Sequence, residues 1–249
     1  MRRQIFLLWH FAFTFIVGLE VLHAQWFGQA YLGTSSTHAS DLTIAQPTRS
    51  TALTFHQAEF DGRSFEGPLY YGLRLGAFLF GKARPLKLAL EFEFIHAKIY
   101  AKPEQVLRIS GMRAGQPLND FLPFKAIVQQ FSISHGTNFA LVNLALHYGD
   151  ANHRQTWLRR FNVSGRLGLG PTILHTESMI DGVSQEQYEL NHLGLQLAFG
   201  ISYRLWRHLH VLGEYKFTYN QVHEAMIVDG VASTTLRMHH GVFGLGWGR

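Results

Sequence analysis

The 249-residue chain contains no cysteine. That excludes disulfide cross-links and thiolate-held metal or redox centres. Charged residues make up only 16%, well below the roughly 25% usual in a soluble domain. No run of Lys or Arg marks a nucleic-acid surface, so no nucleic-acid partner is expected. Beyond residue 24 no stretch reaches the ~18 uninterrupted apolar residues that a membrane-spanning helix needs. If this chain lives in a membrane, helices do not hold it there.

What is present is aromatic and alternating. Phe, Trp and Tyr make up 14%, and the formal charge is +5. The N-terminus reads as a secretory signal. Arg2 and Arg3 precede an apolar core, and Ala24 offers a small residue for cleavage before Gln25. The expectation is a signal peptide over 1–24 and one domain over 25–249.

Period-2 segments recur along that domain, and no helical stripe does. They fall at 26–33, 69–80, 87–100, 129–148, 160–175, 192–205, 209–221 and 235–247, which makes eight predicted strands. Short connections (81–86, 149–159, 205–208) alternate with longer ones (34–68, 101–128, 176–188, 222–234). That alternation is the habit of outer-membrane barrels. The 34–68 connection is a loop, Ser/Thr-rich in its first half and expected to be mobile there.

The run LALEFEFIHAKIY, from Leu88, shows which face is inside. Leu88, Leu90, Phe92 and Phe94 share one face, and Ala89, Glu91 and Glu93 the other. Along the other strands the second face is Gly, Ala, Ser, Thr, Asn and Gln with few charges. A solvated exterior would carry far more charge. A narrow lumen suits such a face, so the Leu/Phe face meets lipid. Backbone groups in lipid must then be satisfied by closure. The predicted fold is an all-β, eight-stranded antiparallel transmembrane β-barrel of the outer-membrane type. Short turns put the termini in the periplasm. Glu91, Glu93, Glu214, Arg166, Lys216 and Arg204 balance in sign and are expected to pack as a salt-bridge core that closes the pore.

Chemistry points to the long-loop end. His96, His135, His175, His192, His223, His239 and His240 all gather there. Alternation aims His135, His192 and His240 inward and His96 and His175 outward, unless bulges near Gly136 or Pro171 re-aim the strands. His135-Gly136-Thr137-Asn138 resembles the His-x-Ser-Asn run of the outer-membrane lipid A deacylases. Here Thr137 replaces Ser, and no Glu follows at a matching distance, only Asp150.

A broader resemblance covers residues 62–247. GRSFEGPLYYGLRLGAFLF, LALEFEFIHAKIYA, SISHGTNFALVNLALHY, GLGPTILHTES and VLGEYKFTYNQV, in that order, resemble runs of the lipid A oxidases. That family of small outer-membrane barrels converts the proximal glucosamine of lipid A to 2-aminogluconate. The resemblance implies lipopolysaccharide and outer-membrane lipids as partners, the barrel assembly machinery in export, and oxygen as oxidant. It points to Phe65-Glu66, His96, His135 with Asn138 and Asn143, His175, and Glu214 with Lys216. On this reading His135 and His175 are bases or ligands and Glu66 is a loop-side carboxylate. Asn138, Asn143, Glu91, Glu93, Glu214 and Lys216 form the lumen and supporting shell. A divalent metal would be held by His135, His175, His192 and His240. The rival reading is a non-enzymatic barrel that stabilises the envelope or binds through its loops.

Overall fold

The computed structural model describes residues 25–80 and 85–248, without the His135 side chain. The expected signal segment lies outside these residues. Thirteen strands run in chain order: β1 (Gln25–Thr37), β2 (Ser40–Gln46), β3 (Thr51–Ala58), β4 (Phe60–Asp61), β5 (Tyr71–Phe80), β6 (Leu86–Ala101), β7 (Val106–Arg113), β8 (Gln116–Pro123), β9 (Val128–Tyr148), β10 (Phe161–Ile180), β11 (Val183–Arg204), β12 (Leu209–Ile227) and β13 (Gly230–Gly248). Eight of them close a ring in the order β1-β5-β6-β9-β10-β11-β12-β13. All ring pairings are antiparallel, and the closing pair sets Phe27 opposite Gly248 and Thr37 opposite Met238. These are the strands that the alternation marked. The molecule is an outer-membrane-type transmembrane barrel.

The long connections differ from expectation. The 34–68 stretch carries β2, β3 and β4, and 101–128 carries β7 and β8. β2 continues β1 along the edge of β13, with Leu42 opposite Thr234 and Ala45 opposite Val231. β3, β7 and β8 extend that sheet. The other two long connections are hairpin ends, where Ile180 pairs with Val183 and Ile227 with Gly230. Buried Leu42, Ile44, Leu53 and Phe55 alternate with Asp41, Thr43, Ala45, Ala52, Thr54 and His56. That period-2 pattern hides under a Ser/Thr-rich composition.

The strands change polarity along their length. On β6, inward Glu91 and Glu93 give way to buried Ile95, Ala97 and Ile99. The outward face changes oppositely, from Leu90, Phe92 and Phe94 to His96, Lys98 and Tyr100. β9 inverts at Ala140/Asn138 and β10 at Ile173/His175, which are neighbours in the ladder. Below this line the barrel is apolar outside and polar inside. Above it, an apolar core that includes Leu42, Phe55, Phe124, Phe131, Ile133 and Ile227 fills the interior. The hydrophobic effect acts inward above the line and toward lipid below it. The β6 stretch 86–94 matches the ~9–11 residues a tilted strand needs to cross hydrocarbon. The line therefore marks one membrane boundary.

The belt below it is a leucine row: Leu90 opposite Leu144, Leu144 opposite Leu167, Leu167 opposite Leu197. All are exposed. Leu144→Arg is expected to destabilise the barrel by about 2–4 kcal/mol in bilayers, as measured by denaturant unfolding in lipid vesicles. A cost near zero would place Leu144 outside the hydrocarbon.

Candidate functional site

Two polar assemblies stand on opposite faces of the wall. The first fills the lumen. Arg74 Nη2 lies 2.6 Å from Glu93 Oε1 and 2.6 Å from Glu214 Oε1. Arg166 reaches Glu91 Oε2 at 2.8 Å and Glu214 Oε2 at 2.5 Å. Lys216 Nζ is 2.5 Å from both Glu93 Oε1 and Glu214 Oε1. The Asn143 and Gln196 amides donate to Glu93 Oε2 at 2.6 and 2.7 Å, and the Tyr31 hydroxyl donates to Glu93 Oε1. Three carboxylates meet three cations, all buried. A cavity among Gln29, Arg74, Arg166 and Glu214 measures about 10 Å³, which is room for about one water. The lumen is a plug, as the sequence suggested. Arg74 was missed there, although its alternation on β5 sets it opposite Glu93. Arg204 does not join the network; its guanidinium donates to the Arg159 carbonyl at 3.5 Å.

The second assembly lies on the outer wall, just above the apolar belt. His96 and Asn138 are cross-strand partners there, with His96 Nδ1 2.8 Å from Asn138 Oδ1. Asn138 thus belongs to the outer face and not to the lumen. The Tyr71 ring stacks on His96 at 5.0 Å. Between them the chain bends at Gly136, whose φ of 113° suits glycine. A Cβ at Gly136 would stand 2.6 Å from His96 Nδ1. This bulge shifts the β6–β9 register between Ala97 and Ile99 and changes which β9 residues face outward.

Further up, Glu177 gathers hydrogen bonds. The Ser134 and Ser132 hydroxyls and the Gln130 amide donate to its carboxylate, the last at 3.0 Å. His175 Nδ1 lies 3.5 Å from Glu177 Oε1, and the His175 ring packs 4.0 Å from Tyr188. Donor atoms of His175, Glu177 and Glu186 all lie within 4.8 Å of one another. Lys98 donates to the Glu66 carbonyl at 2.8 Å, and Arg63 stacks 4.3 Å over Tyr100. The segment around Glu66 thus closes one flank. Burial raises the Tyr100 hydroxyl above its ordinary pKa, aided by the Glu177 charge. Burial lowers the Lys98 amine, with Glu66 opposing and Arg63 adding to the shift.

The expected residues separate accordingly. His96 and His175 face outward and His240 inward, as alternation had them. His240 bonds Thr218 at 2.8 Å inside the barrel. His192 is a correction: it is exposed and stacks on His223 at 5.1 Å. It sits where the β10–β11 register shifts at Pro171/Thr172, so the bulge turns it out. His175, His192 and His240 therefore do not share one metal site, and the His135 side chain lies outside the described residues. Glu66 offers its carbonyl inward, while its carboxylate is 66% exposed and 3.8 Å from Arg63. Asn143, Glu91, Glu93, Glu214 and Lys216 are lumen residues. Glu177, Glu186, Ser134, Lys98 and Tyr100 were missed as site residues. Carrying the alternation past His175 would have put Glu177 on the same face.

No protein-family model matches the chain, and no curated protein matches it. Solved structures similar to it include the outer membrane protease OmpT from Escherichia coli, at 9% identity over 90% of this chain and 97% of that one, with a TM-score of 0.46. Ail, the attachment invasion locus protein of Yersinia pestis, is 8% identical over 90% of this chain and 98% of that one, with a TM-score of 0.35. These likenesses carry no functional argument. The strand pairing itself defines the class: a closed antiparallel barrel of the outer-membrane type.

Proposed function

We propose that the chain is an outer-membrane enzyme, with its termini in the periplasm, that acts on lipid A in the outer leaflet. The observation that supports this is the position of the His175–Glu177 cluster. It lies on the outer face of β10, directly above Ile173 and the apolar belt, at the level expected for lipid headgroups. A soluble substrate would not need a site on that wall. The ordered extension beyond the boundary suits the outer side, where barrels of this kind carry their larger connections.

The reaction we assign is oxidation of the proximal glucosamine to 2-aminogluconate, in line with the resemblance of the sequence runs. The anomeric carbon loses its C–H hydrogen and its hydroxyl proton as two electrons pass to oxygen. The products are a lactone and hydrogen peroxide, and water opens the lactone to the acid. His175, with Glu177 behind its Nδ1, is the pair that accepts the hydroxyl proton. Ser132, Ser134 and Gln130 hold the carboxylate in place. Lys98 and Arg63 supply positive charge for the anionic headgroup.

Ser134 beside Glu177 also supplies a hydroxyl and a carboxylate for the deacylase alternative. There, however, an imidazole must stand between hydroxyl and acid, and here Ser134 bonds the carboxylate directly. The purified barrel mixed with lipopolysaccharide in aerated detergent tests the oxidase reading. The expected result is hydrogen peroxide released in step with lipid A oxidation. Released fatty acid without peroxide would favour deacylation. Neither product, from folded barrel, would favour a non-enzymatic barrel.

A further inference from the structure

We infer that His175, Glu177 and Glu186 form a divalent-metal site on the outer wall. Their donor atoms already lie within 4.8 Å of one another. Glu177 and Glu186 are direct cross-strand partners on β10 and β11. Like charges set opposite each other repel, and a cation between them turns that repulsion into binding. His175 is two residues from Glu177 on the same face and is 5% exposed. Its ring is held against Tyr188, its own cross-strand partner. The ligands thus project from two hydrogen-bonded strands and not from loops, so little order has to be gained on binding.

The surroundings also match a metal centre. Metal-ligating carboxylates are themselves hydrogen-bonded, which fixes their aim. Glu177 has the two serine hydroxyls and the Gln130 amide for this. The donor set is one nitrogen and two carboxylates with no sulfur, which suits Mn²⁺, Fe²⁺, Zn²⁺ or Mg²⁺ and disfavours Cu⁺. Glu186 is exposed, so the remaining coordination positions open toward the headgroup layer. In the ion-bound state His175 and Glu177 are ligands, so ion binding and proton acceptance by His175 are alternative uses of the same side chains. This set differs from the four-histidine set expected from sequence. The inference goes beyond the oxidase reading and does not require it, because its test reads ion binding and not turnover.

The test is Mn²⁺ titration of chelator-stripped, folded barrel in detergent, followed by the electron paramagnetic resonance signal of free Mn²⁺. One ion bound per chain is expected. Glu186→Gln should weaken it by about 10-fold or more, and the double variant His175→Ala/Glu186→Gln should abolish it. Glu224→Gln, an exposed carboxylate on β12, should leave it unchanged. Heat-modifiable gel mobility verifies folding of each variant. Wild-type barrel that binds no Mn²⁺ at millimolar concentration would overturn the site. So would binding that survives the double variant. Metal binding without sugar oxidation would keep the site and remove the oxidase reading, and oxidation without metal binding would do the reverse.

Discussion

Glu93→Leu is expected to destabilise the barrel by about 3–5 kcal/mol, since removal of one partner strands the others in a dry interior. Glu93 meets Arg74, Lys216, Tyr31, Asn143 and Gln196 at once. Without it, Arg74, Arg166 and Lys216 face only Glu91 and Glu214. The double change Glu93→Leu/Lys216→Leu restores the balance and should recover most of the loss, because well-packed apolar pairs often replace buried ion pairs at little cost. The exposed pair Lys102–Glu59, at 2.6 Å, is the control. Glu59→Gln should cost no more than about 1 kcal/mol. Urea unfolding in lipid vesicles, followed by tryptophan fluorescence, reads all of these. A Glu93→Leu barrel as stable as wild type would mean that water, and not the network, solvates the lumen charges.

Glu177→Gln should lower lipid A turnover by about 10²–10⁴-fold while leaving the barrel folded, in the range for loss of a general-base system. The amide keeps the size and can still receive the Ser132 and Ser134 hydroxyls. It no longer presents a carboxylate to His175 Nδ1, which lies 3.5 Å from Glu177 Oε1 in the wild type. A merely structural role would predict the opposite pattern, lowered stability with turnover per folded molecule unchanged. Turnover normalised to folded barrel, with urea midpoints alongside, separates the two. His175→Ala should match Glu177→Gln in turnover, and the pair together should lose little more than either alone, as residues that act as a unit do.

The barrel was legible in the sequence because lipid enforces strict alternation on one side and packing enforces it on the other. The Leu/Phe faces of β6, β9, β10 and β11 could be read residue by residue, and so could the aim of Glu91 and Glu93. Composition misled in the upper half. β2 and β3 look like loop because the stretch as a whole is rich in Ser and Thr, yet Leu42, Ile44, Leu53 and Phe55 alternate along one buried face. The site was half legible. His96 and His175 were placed on the outer wall by counting. Glu177 and Glu186 were lost because the strands appeared to stop before them, and polarity inversion at the membrane boundary imitates a strand end. His192 was aimed wrongly because one extra residue opposite Thr172 reverses a face, and no local pattern announces it.

The most direct measurement is mass spectrometry of lipid A from aerated cells that carry the wild-type barrel, the Glu177→Gln barrel or neither. The expected result is a gain of one oxygen atom's mass in lipid A with the wild-type barrel alone. An unchanged spectrum, with folded barrel shown to be in the outer membrane, would contradict the enzyme reading.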